Sequence, residues 1–452
     1  MANPPLPNSI LIVGGGVFGL STALALCRRH TGKITLVESS QTIPNPEGSS
    51  VDSSRIIRAD YADPAYSRLA ESALQQWRTT EWGCDGRYNQ NGLVFVASQD
   101  GTGQNYVKRS YENVKAINPV AIQELPTPQD VAKIVPGYGV GSHVAGGYVN
   151  WDSGWGDAEA SVRFAKQKLD ALDRVDFRTG EVRRLIYSSL NEQGGSRKVT
   201  GVELVDGSSM SADLVILATG AWTGKLIDLR GRAEATGQVI AYIRITDQEQ
   251  AQLANMPTLL SFCTGMFIIP PRNNLLKIAR HAYGYRNPIA VPDPSPDSQG
   301  GEKVQVSLPA KGAPIPLEGE VACRNALKEM LPAFGERPFA QTRICWYTDT
   351  PTGDFIISRH PEYNGLFIAT GGSGHGFKFL PVIGDKIVDA IEGKLDPELG
   401  RQWAWPEQQL AEDGVNPAIV WTEDGSRSGA KGFILAQELE KTKKQQGRTS
   451  RL

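Results

Sequence analysis

The sequence lacks long hydrophobic runs, paired cysteines and an excess of charge of either sign. No window approaches the roughly 18 consecutive apolar residues of a membrane span, so we expect none. The 47 Lys and Arg residues are balanced by 49 Asp and Glu residues, which argues against a nucleic-acid partner. The odd number of scattered cysteines favours a reducing compartment over a disulfide framework: Cys27, Cys84, Cys263, Cys323 and Cys345.

Histidine is also scarce, and its distribution excludes several kinds of site. His30, His143 and His360 are far apart and show none of the spacings used by metal ligands, so we expect no metal. No Ser–His–Asp triad motif and no internal repeat is present. The 452 residues are nevertheless enough for two joined domains with a substantial core.

The N-terminus does contain a dinucleotide-binding pattern. The β-branched-rich run 10–13 predicts a buried strand, and residues 20–29 predict a helix. Residues 33–37 predict a second strand, which ends at the acidic residue Glu38. The glycines between them permit a tight turn, close approach to a pyrophosphate and close helix–strand packing. The acid can accept hydrogen bonds from a ribose hydroxyl. The predicted cofactor-binding residues here are Gly14, Gly16, Val17, Phe18, Gly19 and Glu38.

This motif alone does not distinguish NAD from FAD, but a second segment favours FAD. The apolar stretch 213–217 predicts a strand that ends in a turn of small residues, and a likely hairpin turn at 205–208 precedes it. The segment resembles the Ala-Thr-Gly stretch with which flavoproteins return to a discontinuous nucleotide domain. It adds Ala218, Gly220 and Trp222 to the predicted cofactor-binding residues.

Three further segments carry a family resemblance. They are residues 53–61, residues 277–281, and residues 343–379, which include Cys345-Trp-Tyr-Thr and Ser373-Gly-His-Gly-Phe-Lys. Together they resemble the monomeric sarcosine oxidases and the fungal pipecolate, saccharopine and fructosyl amino acid oxidases. The resemblance extends from about residue 9 to about residue 395. It implies an α/β fold with a Rossmann-like FAD-binding domain and an α+β substrate domain that contains a mostly antiparallel sheet.

The resemblance implies a covalent flavin and a flavin environment. Cys345 matches the cysteine that forms a thioether with the flavin, and a thiolate is the nucleophile such a bond needs. Lys277 matches a lysine that promotes reaction with oxygen, where a fixed positive charge would stabilise the anion formed. Arg55 matches an arginine beside the flavin ring. The other implied cofactor contacts are Ser54, Gly374, His375, Gly376, Phe377 and Lys378.

The resemblance also implies a carboxylate-bearing substrate. Arg58 and Lys378 match the pair that binds a substrate carboxylate, and Tyr61 and Tyr347 are expected walls of the pocket. His281 matches an active-site histidine of the sarcosine oxidase branch, whereas the fructosyl branch has a glutamate there. Met266 stands where sarcosine oxidases have a tyrosine, which argues against sarcosine itself.

The expected domain organisation alternates along the chain. FAD-binding segments are predicted at 1–87, 161–225 and 341–405, and substrate-domain segments at 88–160 and 226–340. Residues 406–452 form an extension without an assigned counterpart. Residues 55–58 are expected to begin a long helix that continues through residue 77.

The predicted function is an FAD-dependent oxidase of a secondary amine or N-substituted amino acid, of the N-methyl amino acid, pipecolate or saccharopine type. It would form an imine and reduce O2 to H2O2. Alternatives are a fructosyl amino acid oxidase, a biosynthetic relative whose imine cyclises, a dehydrogenase that passes electrons to a protein or quinone, and a nucleotide-binding regulator without catalysis.

The last three residues indicate a location. Ser450-Arg451-Leu452 is a close variant of the C-terminal Ser-Lys-Leu peroxisomal address, with Arg in place of Lys as the positive charge. We therefore expect a peroxisomal monomer that meets the peroxisomal import receptor through this end, besides its small-molecule amine and O2.

Overall fold

The computed structural model describes residues 6–138, 143–188, 197–296, 298 and 301–449. Its strands are Ser9–Val13 (β1), Lys33–Glu38 (β2), Arg55–Ile57 (β3), Tyr88–Asn89 (β4), Leu93–Ser98 (β5), Ile122–Leu125 (β6), Val144–Asn150 (β7), Gly154–Gly156 (β8), Val175–Thr179 (β9), Val182–Tyr187 (β10), Val199–Leu204 (β11), Ser209–Ser211 (β12), Leu214–Leu217 (β13), Glu234–Arg244 (β14), Thr258–Ser261 (β15), Met266–Arg272 (β16), Leu275–Arg280 (β17), Pro288–Pro292 (β18), Lys303–Ser307 (β19), Phe339–Asp349 (β20), Ile356–Arg359 (β21) and Leu366–Thr370 (β22). Its α-helices are Val17–Arg29 (α1), Pro64–Thr79 (α2), Gln104–Ile117 (α3), Pro128–Ile134 (α4), Ala158–Leu172 (α5), Asp247–Leu253 (α6), Leu317–Met330 (α7), Ile383–Ile391 (α8), Pro397–Gln402 (α9) and Leu435–Thr449 (α10).

The first sheet has the order β21-β22-β13-β1-β2-β9. Its neighbours are parallel except for β21, which runs antiparallel to β22. The strands come from three separate stretches of the chain, and β1 and β13 lie side by side in its centre. The carboxyl ends of these two strands therefore meet at one edge, where an open α/β sheet binds its ligand.

Helix α1 connects β1 to β2 and is buried along most of its length. It packs against α5 and α8, and its residues 17–26 are all buried. A helix enclosed in this way needs small and apolar residues on every side, which Ala23 and Leu24 illustrate. The packing fixes the N-terminus of α1 directly behind the glycine-rich turn.

The largest sheet has the order β20-β14-β17-β16-β15-β5-β7-β6 and is antiparallel except for the β15–β5 pair. Residues alternate between its two faces, as in any strand. On β17, Ala279 joins the cluster shared with the first sheet, whereas Leu276 and Ile278 join the outer cluster beneath α7. The structure thus confirms the predicted Rossmann-like sheet and the mostly antiparallel second sheet.

The helix expected from residue 55 to residue 77 is wrong in its first part. Residues 55–57 form β3, which pairs with β8, because the β-branched Ile56 and Ile57 suit a strand. The helix begins at Pro64, a residue favoured at the first helical position, and the Asp63 side chain caps it by accepting from Tyr66 N at 3.0 Å.

The extension after residue 405 folds back onto the body of the protein. Its last helix, α10, packs against α7, and Leu317 N donates to Thr442 Oγ1 at 2.9 Å. The predicted targeting tripeptide 450–452 lies outside the described residues. None of the helices in the described ranges is long and apolar enough to cross a membrane.

Candidate active site

A cleft of about 490 Å³ opens at the carboxyl ends of β1 and β13. It is lined by most of the residues predicted to bind a dinucleotide: Gly14, Gly16, Val17, Phe18, Glu38, Arg55, Ala218, Gly220, Trp222, Gly374, Gly376 and Phe377. Gly19 and Ser54 do not line it. The sequence motif and the returning segment therefore meet in space, as expected for a discontinuous nucleotide domain.

The turn after β1 requires glycine on steric grounds. A Cβ on Gly19 would lie 1.9 Å from the Gly14 carbonyl oxygen, and a Cβ on Gly14 would lie 2.5 Å from the Ala218 carbonyl oxygen. Gly14 also has a φ of +107°, a conformation that other residues rarely adopt. Gly19 thus serves helix–strand packing rather than direct cofactor contact.

Polar groups in the cleft suit both ends of a dinucleotide. The N-cap residue of helix α1 is a glycine without a side-chain cap, and the first turn has no acid. Val17 N donates to Ser50 Oγ at 3.2 Å, and the positive end of the helix dipole faces the cleft, where it suits a phosphate. Glu38, at the end of β2, accepts from Gly15 N at 2.8 Å and from Asn45 Nδ2 at 3.0 Å. These contacts orient its carboxylate in the cleft, where a ribose hydroxyl can reach it.

A second, smaller cavity of about 70 Å³ adjoins the cleft. Arg55, Tyr347, Gly374 and Phe377 line both spaces, so a ring system at the end of the cleft would form a wall of the small cavity. The small cavity also brings together Arg58, His281, Cys345, His375 and Lys378. These residues were predicted from distant segments of the chain.

Two cations in the small cavity have no ionic partner. Arg58 and Lys378 are 5% and 3% exposed, and neither forms a salt bridge with any described carboxylate. Arg58 Nη1 has no hydrogen-bond partner among the described residues, and its guanidinium carbon lies 4.6 Å from the centroid of the Tyr61 ring. Buried charges are normally paired. Burial and Arg58 hold the pKa of Lys378 well below its usual range, while Asp60 raises it, so an anion bound between the two side chains would favour the charged lysine.

A hydrogen-bonded chain holds Lys378 in place. Its Nζ donates to Tyr61 OH at 2.7 Å and to the His375 carbonyl at 2.8 Å. Tyr61 OH lies 2.9 Å from His375 Nδ1, and His375 Nε2 lies 2.8 Å from the Gly353 carbonyl. Because a carbonyl only accepts, Nε2 carries the proton and Nδ1 accepts from Tyr61. Burial and the neighbouring Lys378 hold the pKa of His375 well below its usual range.

Cys345 lies on β20 and faces the small cavity. It is 3% exposed, and Arg55 Nη2 lies 3.2 Å from its Sγ. Arg55 in turn pairs with Asp52, a carboxylate that is fully buried. The thiol thus faces the small cavity beside Arg55, which lines both the small cavity and the cleft.

Lys277 is buried but lines neither space. Its Nζ donates to Asp52 Oδ2 at 2.6 Å and to the Ser54 carbonyl at 2.7 Å. Its ammonium lies 5.8 Å from the centroid of Phe267, which lines the small cavity. Lys277 therefore lies one residue behind the cavity wall, and the Ser54 carbonyl helps to hold it there.

The extension supplies a residue that the sequence did not reveal. Arg427 is 1% exposed at its side chain and pairs with Asp349 at 2.7 Å, while its Nη1 lies 2.5 Å from His281 Nδ1. Burial, Arg427 and Arg58 hold the pKa of His281 well below its usual range. The short Gly- and Ser-containing stretch around Arg427 is typical of a surface loop, so no pattern marks this side chain as buried.

Met266 and Phe267 lie on opposite faces of β16, because successive residues of a strand point to opposite faces. The side chain of Met266 belongs to the outer cluster beneath α7, whereas Phe267 faces the small cavity. Phe267 thus supplies an aromatic wall of that cavity.

Residues 9–390 match the family of FAD dependent oxidoreductases typified by DAO. The chain belongs to this family. It is therefore an FAD-dependent oxidoreductase, and the large cleft fits that cofactor: glycines too close to backbone for a Cβ, a helix N-terminus without an acid and the carboxylate of Glu38 line or shape it.

Named relatives narrow the comparison. The chain is 35% identical to an amino acid oxidase of Aspergillus flavus, over 89% of this chain and 98% of that protein. It is 29% identical to the L-saccharopine oxidase of Schizosaccharomyces pombe, over 90% of this chain and 95% of that protein. A crystal structure of a modified fructosyl peptide oxidase from Aspergillus nidulans superposes with a TM-score of 0.82 at 25% identity, over 96% and 98%. The resemblance inferred from the motifs is thereby confirmed.

Proposed function

We propose that the protein oxidises a secondary amine or N-substituted amino acid that bears a carboxylate, forming an imine and H2O2. The observation that carries this proposal is the unpaired, buried couple of Arg58 and Lys378 beside the flavin cleft. A carboxylate between them would supply the missing counter-charge. The guanidinium offers paired donors and the ammonium a compact charge.

FAD supplies the redox chemistry: it takes two electrons from the C–N bond of the substrate, and oxygen then takes two electrons and two protons to give H2O2. The residues of this chain orient and enclose the reacting groups. Arg58 and Lys378 hold the carboxylate, and Tyr347 and Phe267 enclose the amine. Burial and Arg427 lower the pKa of His281, so its ring is neutral at neutral pH. Arg427 can only donate to the one acceptor nitrogen of that ring, so the other ring nitrogen carries a proton that it can donate toward the substrate.

We further propose that Cys345 carries the flavin covalently. Its Sγ faces the small cavity that adjoins the cleft, with Arg55 Nη2 3.2 Å away, and a nucleophilic thiolate there would have a guanidinium beside it. The positive charge of Arg55 would also stabilise a reduced, anionic flavin. Lys277, one residue behind the wall, would favour the reaction with oxygen through its charge.

A substrate screen tests the proposal. The purified protein is incubated with N-methyl amino acids, pipecolate, saccharopine, fructosyl-lysine and fructosyl-valine, and H2O2 and oxygen consumption are measured together. We expect one peroxide per oxygen with a carboxylate-bearing secondary amine of the first three types. Turnover of fructosyl amino acids alone would favour the deglycating alternative. Turnover only with a quinone or protein acceptor would contradict the oxidase.

We also propose that the protein acts as a monomer in peroxisomes, to which Ser450-Arg451-Leu452 would direct it through the import receptor. An H2O2-forming oxidase is suited to a compartment that confines peroxide.

A further inference from the structure

One buried carboxylate near the site was not predicted. Asp52 is 3% exposed, precedes β3 and contacts residues from three parts of the chain. Its Oδ2 accepts from Lys277 Nζ at 2.6 Å and also pairs with Arg55 Nη1. Its Oδ1 accepts from Tyr242 OH of β14.

We propose that Asp52 is the positioning residue that keeps Lys277 charged and fixed beside the active-site cavity. The inference rests on the proposed oxidase function, because the charge of Lys277 is proposed to act in the reaction with oxygen. Lys277 is 1% exposed and makes its described contacts with Asp52 and the Ser54 carbonyl. Without Asp52, the ammonium would be a buried charge without a counter-ion, which a lysine avoids by losing its proton.

The electrostatic surroundings support this role. The pKa of Lys277 is lowered to about 7: burial and Arg55 lower it, while Asp52 and Cys345 raise it. Burial alone would raise the pKa of Asp52, yet Arg55, Lys277 and Arg343 hold it below its usual range. Tyr242 faces Asp52, and its pKa is raised by burial and by that carboxylate. Asp52 is thus ionised wherever Lys277 titrates.

The loss of Asp52 should act on Lys277 in a defined direction. In Asp52→Asn the shape is kept and the negative charge is lost, so the pKa of Lys277 falls and less of it is charged at a given pH. At a pH above the pKa, each pKa unit by which Lys277 falls reduces its charged fraction about tenfold. We expect the variant to slow the reaction of the reduced flavin with oxygen and to leave substrate binding unchanged, because Asp52 and Lys277 do not line the small cavity.

The test uses the holoenzyme and needs no amine substrate. The flavin is reduced with dithionite without oxygen, mixed with O2 and followed by its visible absorbance from about pH 6 to about pH 9. The visible spectrum of the resting, oxidised holoenzyme is titrated over the same range as a second readout. For Asp52→Asn we expect reoxidation to be slower by about tenfold or more above neutral pH, and both pH profiles to move to lower pH.

Matched variants separate this role from a structural one. Asp60→Asn removes another fully buried carboxylate, which accepts from Tyr148, Asn150 and Ser153 and does not contact Lys277, so both profiles should keep the wild-type midpoint. If Asp52→Asn does not fold, Asp52→Asn with Lys277→Met removes both charges. That double variant should match Lys277→Met alone in both readouts, since coupled residues are not additive.

Identical profiles for wild type and Asp52→Asn would overturn the inference, as would a double variant that differs from Lys277→Met. The failure of the proposed function is visible separately, in a wild-type protein whose reduced flavin does not react with O2. The same comparison of variants is then made with the acceptor that does reoxidise the wild type.

Discussion

At the scale of single residues, the active site is organised by which buried charges have partners. Arg55, Lys277 and Arg427 each pair with a carboxylate, whereas Arg58 and Lys378 do not. An additional anion is therefore stabilised at one place, between the unpaired cations. This distribution orients a substrate by its carboxylate and directs the rest of it toward the flavin.

Replacing Lys378 with Met should weaken the binding of the substrate carboxylate. The change removes one cation and keeps most of the apolar stem, so we expect kcat/KM for a carboxylate-bearing substrate to fall by about 2 kcal/mol or more, roughly thirtyfold. Steady-state peroxide production measures the change. The matched control is the methyl ester of the same substrate, whose turnover should fall much less. Equal losses for acid and ester would mean that Lys378 does not bind the carboxylate.

Replacing Cys345 with Ser should release the flavin from the protein. The hydroxyl is a far weaker nucleophile than a thiolate, so the linkage should not form, although the cleft remains intact. After acid precipitation, the yellow colour should stay in the wild-type pellet and appear in the supernatant of the variant. Cys323→Ser, at a buried cysteine of α7, is the control and should retain the colour in the pellet. Free flavin from the wild type would contradict covalent attachment.

Sequence motifs located most of these residues but not their partners. Cys345, Arg58 and Lys378 stand in a recognisable order of segments, and the structure brings them to one cavity. Asp52 and Arg427 carry no local signal, because the partner that explains each one is more than 70 residues away in the chain. A buried ion pair is a tertiary property and cannot be identified from one segment.

At the scale of elements, the turn between β1 and α1 determines how closely the cofactor can approach. The prediction here concerns Gly19→Ala, whose methyl group would overlap the Gly14 carbonyl oxygen at 1.9 Å. We expect the variant to lose most of its bound FAD, because the turn must move. The ratio of flavin to protein absorbance after purification measures the loss. Gly400→Ala, where nothing lies within 4 Å, should keep full flavin; equal flavin content in both would contradict this account.

Element types were predictable where periodicity was long and uniform. The strands and helix of the nucleotide unit match the expected ones to within about three residues, since each has a clear apolar pattern. Residues 55–57 were assigned to a helix because the stretch is short and its strand partner, β8, comes about 100 residues later. The direction of the Met266 side chain was not predictable for a related reason, since one residue of register separates the two faces of β16.

At the scale of the whole molecule, the extension after residue 405 returns to the active site. Arg427 connects the extension to β20 through Asp349. It also donates to the Ser373 carbonyl at 3.0 Å, in the turn that follows β22. We expect Arg427→Met to raise the pKa of His281, because one of the cations that lower it is removed. The acidic limb of the pH profile of kcat/KM should therefore move to higher pH, since His281 becomes protonated at a higher pH than in the wild type.

The control for this prediction lies in the same segment. Lys431→Met removes a cation whose partner is Glu423 on the surface, so it should leave the acidic limb in place. Profiles that coincide for wild type and Arg427→Met would show that the charge of Arg427 does not reach His281.

The end of the chain gives a prediction that depends on location rather than catalysis. Helix α10 is described as far as Thr449, so deleting residues 450–452 should leave flavin content and turnover unchanged while removing the proposed import signal. A fluorescent protein fused to the N-terminus should then change from punctate, peroxisomal fluorescence to diffuse fluorescence in cells. Arg451→Lys in the full chain keeps the positive charge and creates Ser-Lys-Leu, so it should give the same punctate pattern as the wild type. Diffuse fluorescence of both the wild type and Arg451→Lys would contradict the peroxisomal assignment, because the charge that the import receptor reads would be present in each.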